Sequence, residues 1–109
     1  MKEEAGVPDG ATVDSDGFLW VALFGAGMVK RYDPNGKVER TVRFPVSQIS
    51  CPAFGGVDMK TLFVTTASQN FKQDDFKREP NAGALFSLET NVRGIPEPTF
   101  DRRPKIKSK

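Results

Sequence analysis

Residues 7–27, "VPDGATVDSDGFLWVALFGAG", contain two short apolar segments on either side of an Asp-rich turn. Residues 11–14 predict a strand, 15–17 a tight turn, and 18–23 a second, largely buried strand. Just ahead of this hairpin the chain sets the carboxylate of Asp9 between a proline and a glycine. One explanation for a charged group next to an apolar strand is that the Asp9 side chain caps a local turn.

The strand pattern continues beyond this hairpin with the same close punctuation. Residues 27–32 predict a third strand, "DPNG" at 33–36 the next turn, and 37–44 a more exposed fourth strand in which apolar and charged residues alternate. Four consecutive strands joined by tight turns predict an antiparallel meander.

The pattern then starts again, with strands predicted at 50–54, 61–66 and 83–88. We align "TLFVTT" with "FLWVAL", a step of 43 residues, which makes Trp20 and Phe63 equivalent. A four-stranded repeat of this length is typical of a β-propeller blade. The sequence therefore predicts an all-β fold, a partial β-propeller with two four-stranded blades over 7–45 and 46–100, a charged leader at 1–6 and a disordered basic tail at 101–109.

The second unit is longer than the first because residues 67–82 are inserted between its second and third strands. This segment carries two phenylalanines among charged residues and is expected to form a loop with about one helical turn. Two interpretations stay open. It is a lid over a pocket, or a solvated loop at the edge of the blade held by one phenylalanine.

Composition excludes several kinds of chemistry. The 109 residues include no histidine, which removes Ser-His and Cys-His nucleophiles and His-bound zinc. The net charge is +2, and the basic tail lacks the aromatic residues of a nucleic-acid site, so we expect no nucleic-acid partner. Neither a membrane-spanning run nor a signal peptide is evident, which favours the cytoplasm. Cys51, the single cysteine, is expected to be a buried structural thiol.

Asp14 and Asp16 in "VDSDG" suggest a calcium loop at first sight. An EF-hand would continue with further oxygen ligands and a bidentate glutamate, whereas here a hydrophobic strand begins at once. We therefore interpret this stretch as an Asp-rich hairpin turn.

The order of these motifs resembles one known family. "PDGATVDSDGFLWVALFGAGMVKRYDPNGKVERTVRFP", followed by "CPAFGG", "LFVTTA", "AGALFSL" and a late "VRGIP", is similar to the C-terminal third of the senescence marker protein/regucalcin/gluconolactonase family. The resemblance runs over about residues 7–100. It implies a six-bladed β-propeller with a divalent cation, calcium or zinc, held by oxygen ligands at the mouth of the central channel.

The resemblance also implies a role for Asp9. The aspartate of the family's "PDG" motif is a metal ligand and a candidate acid/base group in the opening of sugar lactones, and Asp9 occupies that position. The family's other ligands, a glutamate near its chain start and an asparagine in its middle blades, belong to parts that this sequence does not contain. The expected metal and catalytic residue is therefore Asp9 alone.

Two functions remain open at this point. In the first, the chain is the metal-binding segment of a lactone hydrolase acting on a small sugar lactone, active only in a complete propeller. In the second, it is a non-catalytic β-meander module for binding or oligomerisation. Two blades are expected to leave apolar faces uncovered, so either a partner chain supplies the missing blades or the chain self-associates. Three head-to-tail copies would close a six-bladed ring with three copies of Asp9 around one axis.

Overall fold

The computed structural model describes residues 6–95 and is built almost entirely of strands. One helix of six residues is present in this range, and no helix within it is long and apolar enough to cross a membrane. The elements in chain order are β1 Val7–Val13, β2 Leu19–Phe24, β3 Met28–Tyr32, β4 Val38–Arg43, β5 Ile49–Gly55, β6 Thr61–Thr66, α1 Gln73–Arg78 and β7 Phe86–Glu89.

The first sheet is an antiparallel meander with the order β1-β2-β3-β4. Its β1–β2 turn carries Gly17 at a φ of 82°, in the left-handed region that glycine adopts without steric cost. In the β3–β4 turn, Asp33 Oδ1 accepts hydrogen bonds from the backbone N–H groups of Asn35 and Lys37, both at 2.9 Å. The four strands and both turns confirm the meander predicted from the sequence.

The second sheet has the order β5-β6-β7 and is also antiparallel. Within residues 6–95 this second sheet has three strands. The fourth strand expected for this blade would follow residue 95, outside the described residues. Most of the predicted leader and all of the basic tail also lie outside the described residues. The all-β architecture is confirmed.

The two sheets pack against each other face to face, and the core lies between them. Trp20 from the first sheet meets Phe54 from the second edge to face, with ring centroids 5.5 Å apart. Isolated bridges, Asp14 with Gly94 and Phe24 with Gln48, join the sheets at their ends. The buried apolar residues of this core are Trp20, Ala22, Val29, Val46, Ile49, Leu62, Val64 and Val92.

The first hairpin of one sheet and the first hairpin of the other are 42 residues apart. This is one residue less than the step of 43 obtained by aligning "TLFVTT" with "FLWVAL". The backbone N–H of Gly17 donates to the Asp14 carbonyl, and the N–H of Met59 donates to the Gly56 carbonyl in the matching turn. Met59 also shares the positive φ of Gly17. Trp20 therefore corresponds to Leu62, and its assignment to Phe63 was wrong.

The difference matters because a shift of one residue in a strand moves a side chain to the opposite face. Trp20, Leu62 and Val64 are fully buried. Val21 and Phe63 are only half-buried, since both lie on the outer faces of their sheets.

The two outer faces differ in chemistry. The first sheet's outer face forms an open groove of about 620 Å³ with mainly apolar walls that include Leu19, Val21 and Tyr32. Around Phe63, the second sheet's outer face carries Thr65, Ser87 and Glu89, all exposed. The sequence predicted two large apolar faces. Within residues 6–95 the second face is mainly polar, because β6 and β7 alternate apolar residues inward with polar residues outward.

Candidate functional site

Asp9 lies at the sheet edge where β1 begins and β2 ends. The β1–β2 register shifts between Pro8 and Ala11, which places Asp9 in a β-bulge. Its side chain is exposed and lines an open depression of about 310 Å³ together with Val7, Pro8, Phe24 and Gln69. Bulges re-aim side chains next to functional sites, so the "PDG" sequence turns a carboxylate outward at this edge.

Gly10 is required by the close approach of the second sheet. A Cβ atom at this position would lie 2.6 Å from Cys51 Sγ and 2.8 Å from the Ser50 carbonyl oxygen. The missing side chain at Gly10 allows β1 and β5 to lie side by side, which fixes Asp9 relative to the second sheet.

Cys51 is exposed, so the expectation of a buried structural thiol was wrong. The register of β5 shifts between Ile49 and Cys51, and from there the alternation buries Pro52 and exposes Cys51 and Ala53. The sequence motif "CPAFGG" does not reveal which set faces the core.

The insertion approaches the same sheet edge as Asp9. It leaves β6 at Thr66, which pairs with Ile49 at the start of β5. Its helix, α1, ends at Arg78 just before Pro80, and Phe71 and Phe76 meet edge to face at 5.1 Å. The predicted loop with a short helical turn is therefore confirmed.

Both ends of the insertion are attached to the linker between the sheets. Gln48 exchanges hydrogen bonds with Gln69, and Glu79 Oε1 accepts from the backbone N–H and hydroxyl of Ser47 at 2.9 and 3.1 Å. These hydrogen bonds hold the segment beside the Asp9 depression. They are compatible with both interpretations, the lid over a pocket and the solvated loop at the edge of the blade.

Asp14 occupies the hairpin turn as predicted. Its carboxylate is fully buried, and each of its oxygen atoms accepts two hydrogen bonds. Oδ1 accepts from the backbone N–H groups of Asp16 at 2.9 Å and Phe18 at 3.1 Å. Oδ2 accepts from Trp20 Nε1 and Arg31 Nε, both at 2.8 Å. This carboxylate therefore has a structural role.

Arg31 closes this buried cluster from β3. It pairs with Asp14 at 2.8 Å and Glu39 at 3.1 Å, and its guanidinium lies 3.9 Å from the centroid of the Phe18 ring. Burial alone would raise the pKa of Asp14, but hydrogen bonds from Trp20 and Arg31 and from two backbone N–H groups outweigh it and hold the pKa below its usual value. Sequence reasoning missed this pair, and the available signal was that Arg31 lies two residues after Val29 and therefore on the same, inward face of β3.

The polar groups around Asp9 are of the kind that bind a hard cation, but they are too few to form a complete site. Asp9 supplies a carboxylate and Gln69 a carboxamide, and oxygen atoms are the ligands that calcium prefers. Among residues 6–95 no group of three or more His, Cys, Asp or Glu side chains could hold a metal ion. A complete site at this edge would need ligands from outside the described part of the chain.

Comparison with known proteins places the chain in a family. Residues 1–68 match the family model described as the SMP-30/Gluconolactonase/LRE-like region. The chain belongs to this family, as its sequence motifs implied.

Individual relatives agree with this assignment. YvrE of Bacillus subtilis, whose name places it with sugar lactone lactonases, is 43% identical over 90 residues, 82% of this chain and 31% of that protein. Regucalcin of Gallus gallus is 38% identical over 102 residues, 92% of this chain and 34% of that protein. The crystal structure of a calcium-binding regucalcin from Agrobacterium tumefaciens superimposes with a TM-score of 0.81 at 36% identity, covering 86% of this chain and 32% of that one.

The chain spans about a third of the length of the curated relatives it matches. Its two packed sheets are adjacent blades of the propeller that these relatives share. The partial β-propeller is therefore confirmed.

Proposed function

We propose that this chain is the metal-binding segment of a gluconolactonase-like lactone hydrolase that needs further blades or self-assembly for activity. The observation that carries the proposal is the exposed Asp9 carboxylate on the wall of a depression at the sheet edge. Family membership and the name of the Bacillus relative support a lactone as the substrate class.

In this proposal Asp9 is a ligand of a divalent cation, calcium or zinc. The regucalcin from Agrobacterium is a calcium-binding protein, and the carboxylate and carboxamide at the depression provide the oxygen ligands that calcium prefers. A bound divalent cation supplies Lewis-acid polarisation of a carbonyl. The remaining ligands come from other blades or other copies of the chain.

Asp9 also carries the proton in this proposal. Water adds to the lactone carbonyl carbon, the bond from that carbon to the ring oxygen breaks, and Asp9 passes a proton from the water to the ring oxygen. Its exposure leaves it open to solvent and substrate. We place this activity in the cytoplasm, because an exposed single thiol such as Cys51 persists more readily in a reducing compartment.

Calorimetric titration of the full chain with calcium tests the metal role. We expect Asp9→Asn to weaken calcium binding at least tenfold, because the exchange removes the one carboxylate among the described residues that line the depression. Asp74→Asn is the matched control, since Asp74 is 87% exposed on α1 and makes only a 3.9 Å ion pair with Lys77. Equal losses for both variants, or none for Asp9→Asn, would contradict the proposal.

A second function is favoured by the apolar outer face of the first sheet. Val13 and Leu19 on this face are 43% and 38% exposed. Exposed apolar patches of this kind mark interaction surfaces. The alternative is therefore a non-catalytic binding or oligomerisation module that keeps the family fold.

A further inference from the structure

Gln69 is held in place by a reciprocal pair of hydrogen bonds with Gln48. The Gln69 backbone N–H donates to Gln48 Oε1 at 2.7 Å, and Gln48 Nε2 donates to the Gln69 carbonyl at 3.1 Å. The N–H of Ala67 donates to the Gln48 carbonyl at 2.9 Å. Both backbone polar groups of Gln69 are therefore used to fix its position.

The local chain path supports the same placement. Asn70 has a φ of 61°, a left-handed conformation that asparagine tolerates better than most residues, and the Phe71 N–H donates to the Ser68 carbonyl at 3.2 Å. Gln48 itself pairs with Phe24, the last residue of β2. Gln69 therefore lies at the edge of the first sheet, although it follows β6 of the second sheet in the chain.

The far end of the insertion is fixed as well. Glu79 binds Ser47, the neighbour of Gln48, through two hydrogen bonds. The segment is thus attached at both ends to two consecutive linker residues. These contacts hold the backbone of Gln69 beside the depression.

The side chain of Gln69 is chemically suited to a polyhydroxylated ligand. It makes no hydrogen bond to any residue between 6 and 95, and a carboxamide can both donate to and accept from hydroxyl groups. Asp9 lies on the same wall, while Val7 and Phe24 supply apolar surface. Small-molecule sites combine such surface with a few polar groups.

We propose that Gln69 is a substrate-binding residue that contacts the hydroxyl groups of a sugar lactone, and that Gln48 is the positioning residue that holds it. The inference rests on the proposed function in that it takes the Asp9 depression as the lactone site. Binding of hydroxyl groups by Gln69 does not, however, require Asp9 to hold a cation, so the two statements can be tested separately.

The test uses the ¹⁵N-labelled full chain titrated with 1,5-anhydroglucitol, a cyclic polyol without a hydrolysable carbonyl. We expect the amide signals of Asp9, Phe24 and Gln69 to shift, and Gln69→Ala to weaken polyol binding about tenfold with no change in calcium affinity. Gln73→Ala is the matched control, because Gln73 is exposed on α1 and lies outside the depression.

Gln48→Ala tests positioning through a separate measurement. We expect faster hydrogen exchange at the Gln69 amide together with weaker polyol binding, and partial recovery of both in Gln48→Glu, which keeps an acceptor for that N–H. An unchanged exchange rate in Gln48→Ala would overturn the positioning role.

The outcomes separate the two proposals. If Asp9→Asn abolishes calcium binding while Gln69→Ala binds the polyol like the wild type, this inference fails and the metal role stands. If Gln69→Ala weakens polyol binding while Asp9→Asn leaves calcium binding unchanged, the metal role fails and this inference stands. A wild-type chain whose spectrum does not respond to the polyol would also overturn the inference.

Discussion

The indole N–H of Trp20 donates a 2.8 Å hydrogen bond to the buried carboxylate of Asp14. This contact joins the turn of the first hairpin to the centre of the core, because Trp20 also packs on Phe54 of the second sheet. Arg31 binds the same carboxylate oxygen. The hairpin turn, the third strand and the interface between the sheets are therefore stabilised by one polar cluster.

Asp14→Asn is expected to destabilise the chain by about 3–5 kcal/mol, because it leaves Arg31, 4% exposed, without its buried counter-charge. Urea unfolding followed by Trp20 fluorescence measures the change. Asp16→Asn is the matched control in the same turn. Asp16 is 60% exposed, so its loss should cost less than about 1 kcal/mol. Similar losses for the two variants would show that the buried pair contributes little.

The stability of the chain is expected to fall in acid through Asp14. The pKa of its carboxyl lies below the ordinary value of 3.8 in the folded state, so the unfolded chain binds the proton first as the pH falls. The contribution is complete above about pH 5 and is lost as the pH falls through the folded pKa. Urea unfolding between pH 2 and pH 7 should show this decline in the wild type and a smaller one in Asp14→Asn. Parallel curves would contradict it.

Trp20→Ala is expected to cost about 3–5 kcal/mol, the range for removing a large buried aromatic side chain. Trp20→Phe separates packing from hydrogen bonding, since it keeps a ring against Phe54 but removes the donor to Asp14, and should cost less. Thermal unfolding followed by circular dichroism measures both. Val57→Ala, at a fully exposed position, should leave the melting temperature nearly unchanged. A Trp20→Ala variant as stable as that control would contradict the buried blade interface.

The strand order, turns and packing of alternate residues could be predicted from the sequence because they depend on local patterns. The turn at Asp14 and the turn at Asp33 each follow from a few neighbouring residues. The repeat length was wrong by one residue, because "TLFVTT" and "FLWVAL" share a leucine and a valine and pair Phe63 with Trp20 only at a step of 43 residues. The turn hydrogen bonds and the strand registers of the two hairpins follow a step of 42 residues instead.

The candidate site was less predictable, because its residues come from separate parts of the chain. Asp9 was identified through a family motif, and its role as a ligand stays a prediction. Gln69 carries no recognisable motif and reaches the depression only through its contacts with Gln48. The Asp14–Arg31 pair is 17 residues apart in sequence and depends on the register of β2 with β3.

Self-association is expected to occur through the outer face of the first sheet. Light scattering over a range of concentrations should show a mass that rises with concentration and rises further with calcium, as a closed ring of three chains around three Asp9 carboxylates requires. Leu19→Lys should lower that mass, because Leu19 lines the apolar groove. Ser87→Lys on the second sheet should do the same in a head-to-tail ring. A constant monomer mass for the wild type would contradict this expectation.

The position of a bound cation is measured most directly with manganese, a paramagnetic ion that broadens nearby amide signals. With the ¹⁵N-labelled full chain, we predict that broadening centres on Asp9, Gly10, Phe24 and Gln69, the edge where the exposed carboxylate lies, and that calcium reverses it. Asp9→Asn should abolish the effect. Broadening centred on the Asp14–Gly17 turn, or on Asp74 and Asp75 of α1, would place the cation elsewhere and contradict the assignment of Asp9 as the metal ligand.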